Sequence, residues 1–152
     1  MLAAIKRFLN DVTAPREPGP APEDEIQLAA AALLFHVIAV DGIVSDDERT
    51  MLTDVLSRRF NLSVDEAVLL AKKAEGAEAE AVDLYGFTSV LKRTLDIGDR
   101  ERIIEMMWKM VYADGKVHEF EDNAVWRVAE LLAVPTASRI RLKKSVRDNV
   151  RH

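Results

Sequence analysis

One ten-residue pattern constrains this chain more than any other, because it occurs twice. Ala39-Val40-Asp41-Gly42-Ile43-Val44-Ser45-Asp46-Asp47-Glu48 returns in the second half as Tyr112-Ala113-Asp114-Gly115-Lys116-Val117-His118-Glu119-Phe120-Glu121. Each copy closes an apolar stretch, turns at Asp-Gly and opens an amphipathic one. Flanking residues keep the register: Phe35 matches Trp108, Ile38 matches Val111, Leu52 matches Val125 and Val55 matches Val128. After a one-residue deletion, Leu62 matches Val134, Val68 matches Ile140, Leu70 matches Leu142 and Lys72 matches Lys144. Each unit therefore reads as apolar helix, Asp-Gly turn, amphipathic helix, short turn, helix. One unit cannot bury its apolar first helix alone. Two related by a pseudo-two-fold axis can pack those helices together, so the chain is expected to form an all-α bundle of about seven helices built from two pseudo-symmetric repeats.

Local signals place the elements. Residues 2–12 carry Leu2, Ile5, Phe8, Leu9 and Val12 at helical spacing. This N-terminal amphipathic helix (1–12) is expected to dock on the domain, with contact to a membrane surface as the less favoured alternative, since only Lys6 and Arg7 add positive charge. Residues 13–22 contain four Pro and read as an extended linker. The helical domain occupies 23–152. Its first helix, 23–40, opens on Glu23, Asp24 and Glu25, which suit the positive end of a helix dipole, and is then apolar on nearly every side. His36 within it reads as a partly buried, hydrogen-bonded residue. Ser45-x-x-Glu48 and Ser63-x-x-Glu66 are capping boxes. The second is expected to start a helix ending near Gly76, with Val68 on its inner side. A further helix spans 77–95 with a weak point at Gly86, Asp99 caps the next, and Pro135 opens the last. Phe120 is expected to face inward from the helix that follows the second turn. Met106, Met107 and Met110 read as core filler.

Composition excludes several functions. With no cysteine, disulfides, thiolate zinc sites and iron–sulfur clusters are ruled out. Six basic residues fall between Arg139 and His152, against one acid; the chain before Arg139 holds 15 basic and 25 acidic side chains. So acidic a body disfavours nucleic acid as a partner, since phosphate binding needs a basic surface. No phosphate loop, Gly-x-Ser-x-Gly or His-Glu-x-x-His occurs, so catalysis is not expected. No signal peptide is evident, and the longest apolar run, Leu28 to Val40, is too short to span a bilayer. A cytoplasmic protein is expected.

Only the two turns concentrate chemistry. Asp41, Asp46, Asp47 and Glu48 lie within eight residues; Asp114, Glu119, Glu121 and Asp122 lie within nine. Oxygen-rich clusters suit hard cations such as Ca2+ or Mg2+. The spacing is not that of an EF-hand loop, and by itself it favours helix capping over metal. His118, however, replaces the capping Ser45 in the second copy, and Glu121 is retained.

The doubled Ala-x-Asp-Gly-x-Val-x-x-x-Glu pattern, seen at Ala39 to Glu48 and, with Ala next to Asp, at Ala113 to Glu121, resembles the TerB family of tellurite-resistance-associated proteins. Asp99-Arg100-Glu101-Arg102 ahead of the second apolar helix is similar to the family too. The resemblance covers about residues 24–148. It implies an all-helical bacterial domain without established catalysis, linked to tellurite and other chemical stress, and partnered by other proteins. It also implies a divalent-cation site, Ca2+ or Mg2+, at Asp41, Glu48, Asp114 and Glu121, and puts that reading level with plain capping. The added N-terminal helix and linker depart from the family pattern.

Overall fold

The computed structural model describes residues 22–40, 42–81, 83–113 and 119–150. Residues 2–12, most of the linker, Asp41 and Asp114 lie outside them. Seven helices follow one another among the described residues: α1 (Glu23–Ala39), α2 (Asp46–Phe60), α3 (Val64–Glu80), α4 (Tyr85–Thr94), α5 (Ile97–Val111), α6 (Glu119–Leu131) and α7 (Thr136–Val150). The all-α expectation holds.

α1 is the centre. Leu28 through Phe35 are all buried, as are Val37 and Ile38. An apolar surface that wide needs cover on every side, and α2, α3, α4, α5 and α6 all pack on it. Ala29, Ala30, Ala31 and Ala32 have no exposed surface, and α3 offers Ala67, Ala74 and Ala77, equally buried. Small side chains on both helices let the backbones approach closely. Glu78 on α3 then meets His36 Nδ1 at 3.0 Å, so the lone histidine of α1 is a partnered, partly buried residue as expected.

The halves correspond in packing as well as in sequence. α1 packs on α2 and α3 as α5 packs on α6 and α7; α6 packs on α1 as α2 packs on α5. Even the helix ends agree. α2 ends at Asn61 with a positive φ of 53°, and α6 is followed by Ala133 at 56°. Each end is closed by a 2.9 Å bond, from Leu62 N to Ser57 O and from Val134 N to Ala129 O. The halves differ between their outer helices. In the second half, Arg139 lies 5.7 Å from the Trp126 ring centroid and Lys143 5.1 Å from that of Trp108.

Three local expectations need correction. α3 does not stop at Gly76 but runs on to Glu80. A mid-helix glycine costs about 1 kcal/mol against alanine, and burying Ala74 and Ala77 on α1 outweighs it. The stretch 77–95 is not one helix: the chain leaves α3 at Ala81 and restarts at Tyr85, whose N–H donates to Asp83 Oδ1 at 3.0 Å. Gly86 sits inside α4. Finally, Asp96, not Asp99, caps α5, accepting from the Asp99 N–H at 2.8 Å. Asp99 instead pairs with Arg59 of α2 at 3.1 Å. The methionines behave as core filler: Met107 and Met110 are fully buried and Met106 is nearly so. The basic C-terminal helix is tied down by ion pairs, Arg139 to Glu130, Arg141 to Glu101 and Lys143 to Asp122. No helix among the described residues is long and apolar enough to cross a membrane.

Candidate functional site

The first turn is built by Gly42. Its N–H bonds to Ala39 O at 3.0 Å, and its φ of +84° is one that residues with a Cβ rarely adopt. Val44 leads to Ser45, and the capping box closes in both directions. The Glu48 N–H donates to Ser45 Oγ at 3.1 Å, and Glu48 Oε1 accepts from the Ser45 N–H at 2.9 Å. Glu48 is the third residue of α2. Glu121 is the third residue of α6, the corresponding position.

Both carboxylates are buried, Glu48 at 4% exposure and Glu121 at 1%. Glutamate is seldom so deeply buried without a partner. A capping box does not demand it, as α3 demonstrates. There Glu66 and Ser63 make the same reciprocal bonds, at 2.9 and 3.1 Å, with Glu66 on the surface. The Ser63 backbone N–H, and then its hydroxyl, hold the Glu66 carboxyl below its usual range. A carboxylate with a lowered folded-state pKa contributes stability above its unfolded pKa and loses it as pH falls through the folded value. Ser63→Ala keeps the backbone donor and removes the hydroxyl. The Glu66 pKa, followed by NMR titration, is expected to rise part of the way towards the ordinary value. No change would mean that the hydroxyl has no part in holding the charge.

Four residues were singled out by sequence for a cation. The structure places Glu48 and Glu121 at equivalent, buried positions, whereas Asp41 and Asp114 lie outside the described residues. Among the described residues alone, no group of three or more His, Asp or Glu side chains is close enough to hold a metal ion. Other acids surround each helix start. Asp46 and Asp47 are exposed on the first turn of α2, as is Glu119 on α6. Asp122 is engaged by Lys143 at 2.6 Å. Oxygen donors fit a hard cation, but Glu48 and Glu121 stand at the positive ends of α2 and α6, so a cation there needs several carboxylates to offset the dipole.

Two concave surfaces had no signal in the sequence. One is a 670 Å³ groove between α2 and α5 that includes Met51, Val55, Arg102 and Met106. The other is a 220 Å³ pocket where His36 and Glu78 meet Asp83, Leu84 and Arg127. Both join residues far apart in the chain, and no spacing rule reaches across them.

Comparison with known proteins adds to this geometry. No curated protein matches the sequence. Among solved structures, a protein of unknown function from Porphyromonas gingivalis W83 matches with a TM-score of 0.63 and 15% identity, over 84% of this chain and 98% of that one. At that identity the likeness speaks for the fold alone. The family described as "Tellurite resistance protein TerB" matches residues 27–144, from α1 into α7 and across both Asp-Gly turns. Repeat, fold and match agree, and the chain belongs to the TerB family.

Proposed function

We propose that this protein is a non-catalytic TerB-family scaffold of the bacterial cytoplasm that binds a divalent cation, Ca2+ or Mg2+, at its acidic turns and engages other proteins in the response to tellurite or related chemical stress. The observation that carries the cation reading is the recurrence of a buried glutamate. Glu48 and Glu121 hold the same place in two halves and are both buried, while Glu66 caps its helix from the surface. Asp41 and Asp114, seven residues earlier in each copy, complete the proposed oxygen set. Such a cation would neutralise carboxylates crowded at two helix starts and stiffen the turns against their helices. The acidic surface suits protein partners and not nucleic acid.

Calorimetry with Ca2+, Mg2+, Mn2+ and Zn2+, paired with amide NMR, tests this. Binding should shift signals at Gly42 and at the start of α6. Glu121→Gln should weaken it by at least the ~10-fold that even an outer-shell metal partner is worth. Binding only to the folded state would raise the melting temperature, and a chelator would reverse the rise. No heat and no shift with any of the four ions would remove the cation from the proposal.

One observation favours a second reading, in which the acids only cap helices: the box at Glu48 is complete without a metal. In that case Glu48→Ala lowers stability equally with and without added cation.

A further inference from the structure

The two halves fill their central grooves differently. α4 lies on α1 and also reaches α6, covering the groove where those two helices meet. By the pseudo-symmetry, the corresponding groove is that between α5 and α2. There the described residues form a surface floored by Met51, Val55 and Met106 and rimmed by Arg58, Arg102 and Lys109. The correspondence is residue by residue, because the register that aligns the two Asp-Gly turns carries Leu33 to Met106, His36 to Lys109 and Val55 to Val128. A helix in this seat would have to come from the segment that precedes the first half, as α4 precedes the second.

That segment carries the required pattern. The α4 region seats Leu84, Phe87, Val90 and Leu91, all buried. Leu2, Ile5, Phe8 and Leu9 repeat the same spacing ahead of the linker. We propose that residues 2–12 dock as an amphipathic helix in the groove between α2 and α5, taking the place there that α4 takes between α1 and α6. The linker reaches far enough: ten extended residues span up to about 33 Å, roughly the diameter of a small domain. The register of the repeat would set Asp11 against Leu84, whereas the apolar pattern starts at Leu2; the Pro-rich insertion is close to the length of that shift. Charge also agrees. At about 100° per residue, Lys6 flanks one edge of the apolar stripe, Asp11 the other, and Arg7 points away. The groove's acids, Asp54 and Glu105, already pair with Arg58 at 3.3 Å and Lys109 at 3.2 Å and would share their oxygens with Lys6, whereas Arg102, which has no ion-pair partner among the described residues, is open to Asp11.

The chain has no cysteine, so Asn10→Cys gives a single labelling point on the polar side of the segment. A nitroxide there, in the full chain, should broaden amide signals of α2 and α5 around Val55 and Met106 and spare α3 and α4. Adding Phe8→Glu, a change outside the compact domain, should abolish that broadening without altering the rest of the spectrum. Unbroadened groove signals overturn the proposal. So does broadening that fades on dilution, which would make the occupant a second copy. If the groove signals stay unbroadened and the segment instead responds to phosphatidylglycerol vesicles, the occupant is a membrane surface and the proposal is equally lost.

Discussion

Trp108→Ala is expected to lower the free energy of unfolding by about 3–5 kcal/mol, the range for removing a buried aromatic. Trp108 is the largest fully buried side chain among the described residues, at 0% exposure in the last turn of α5. Its ring stands 6.2 Å from that of Tyr112 and under the Lys143 ammonium at 5.1 Å. Alanine would leave a cavity at the contact of α5 with its neighbours and remove the face on which Lys143 rests. In a domain of this size, the melting temperature should fall by roughly 6–20 °C. Trp108→Phe is the informative companion. The indole Nε1 is buried and has no hydrogen-bond partner among the described residues, so its removal forfeits no bond. Phe35 already occupies the equivalent place in the first half. The phenylalanine variant should therefore lose roughly half as much stability or less. Denaturant titration of the three proteins decides it. A cost below about 1 kcal/mol for the alanine variant would mean that the α5 core collapses around the gap or was never tightly packed.

Ala31→Leu carries the second large effect, with the opposite cause. Ala29 to Ala32 have no exposed surface, and α3 meets α1 through its own buried alanines. Three extra heavy atoms at such a site force helices apart or side chains off their rotamers, costing about 1–3 kcal/mol and occasionally more. Leu69→Ala on the exposed side of α3 is the control and should stay within about 0.5 kcal/mol of the parent. If Ala31→Leu is as mild as that control, α1 is not the tightly enclosed axis described above. Circular dichroism at increasing urea separates the outcomes.

These residues also show what sequence alone could convey. An apolar stretch without a polar side, as at 28–38, can only be a central helix, and two such stretches in register with a repeat can only be partners. Capping at Ser45 and Ser63 was legible because the relevant atoms lie within three residues of each other. The end of α3 was not, because Gly76 is decided by Ala74 and Ala77 meeting α1, a contact remote in sequence. Phe120 and Val68 were expected to face inward and are exposed, at 64% and 38%. Local periodicity marks an apolar side but not how far a neighbour extends over it. At the candidate site, the positions of Glu48 and Glu121 were legible and their burial was not. Burial depends on how the turns settle against the bundle.

The distribution of aromatic side chains has a practical consequence. Trp108 and Trp126 both belong to the second half; the first has Phe35 and Thr53 in their places. Intrinsic indole fluorescence is thus a reporter on one half alone, and helical ellipticity reports on both. A duplicated protein whose copies look alike to most probes comes with one copy already lit, so coincidence of the two signals in a melt says directly whether the halves let go together.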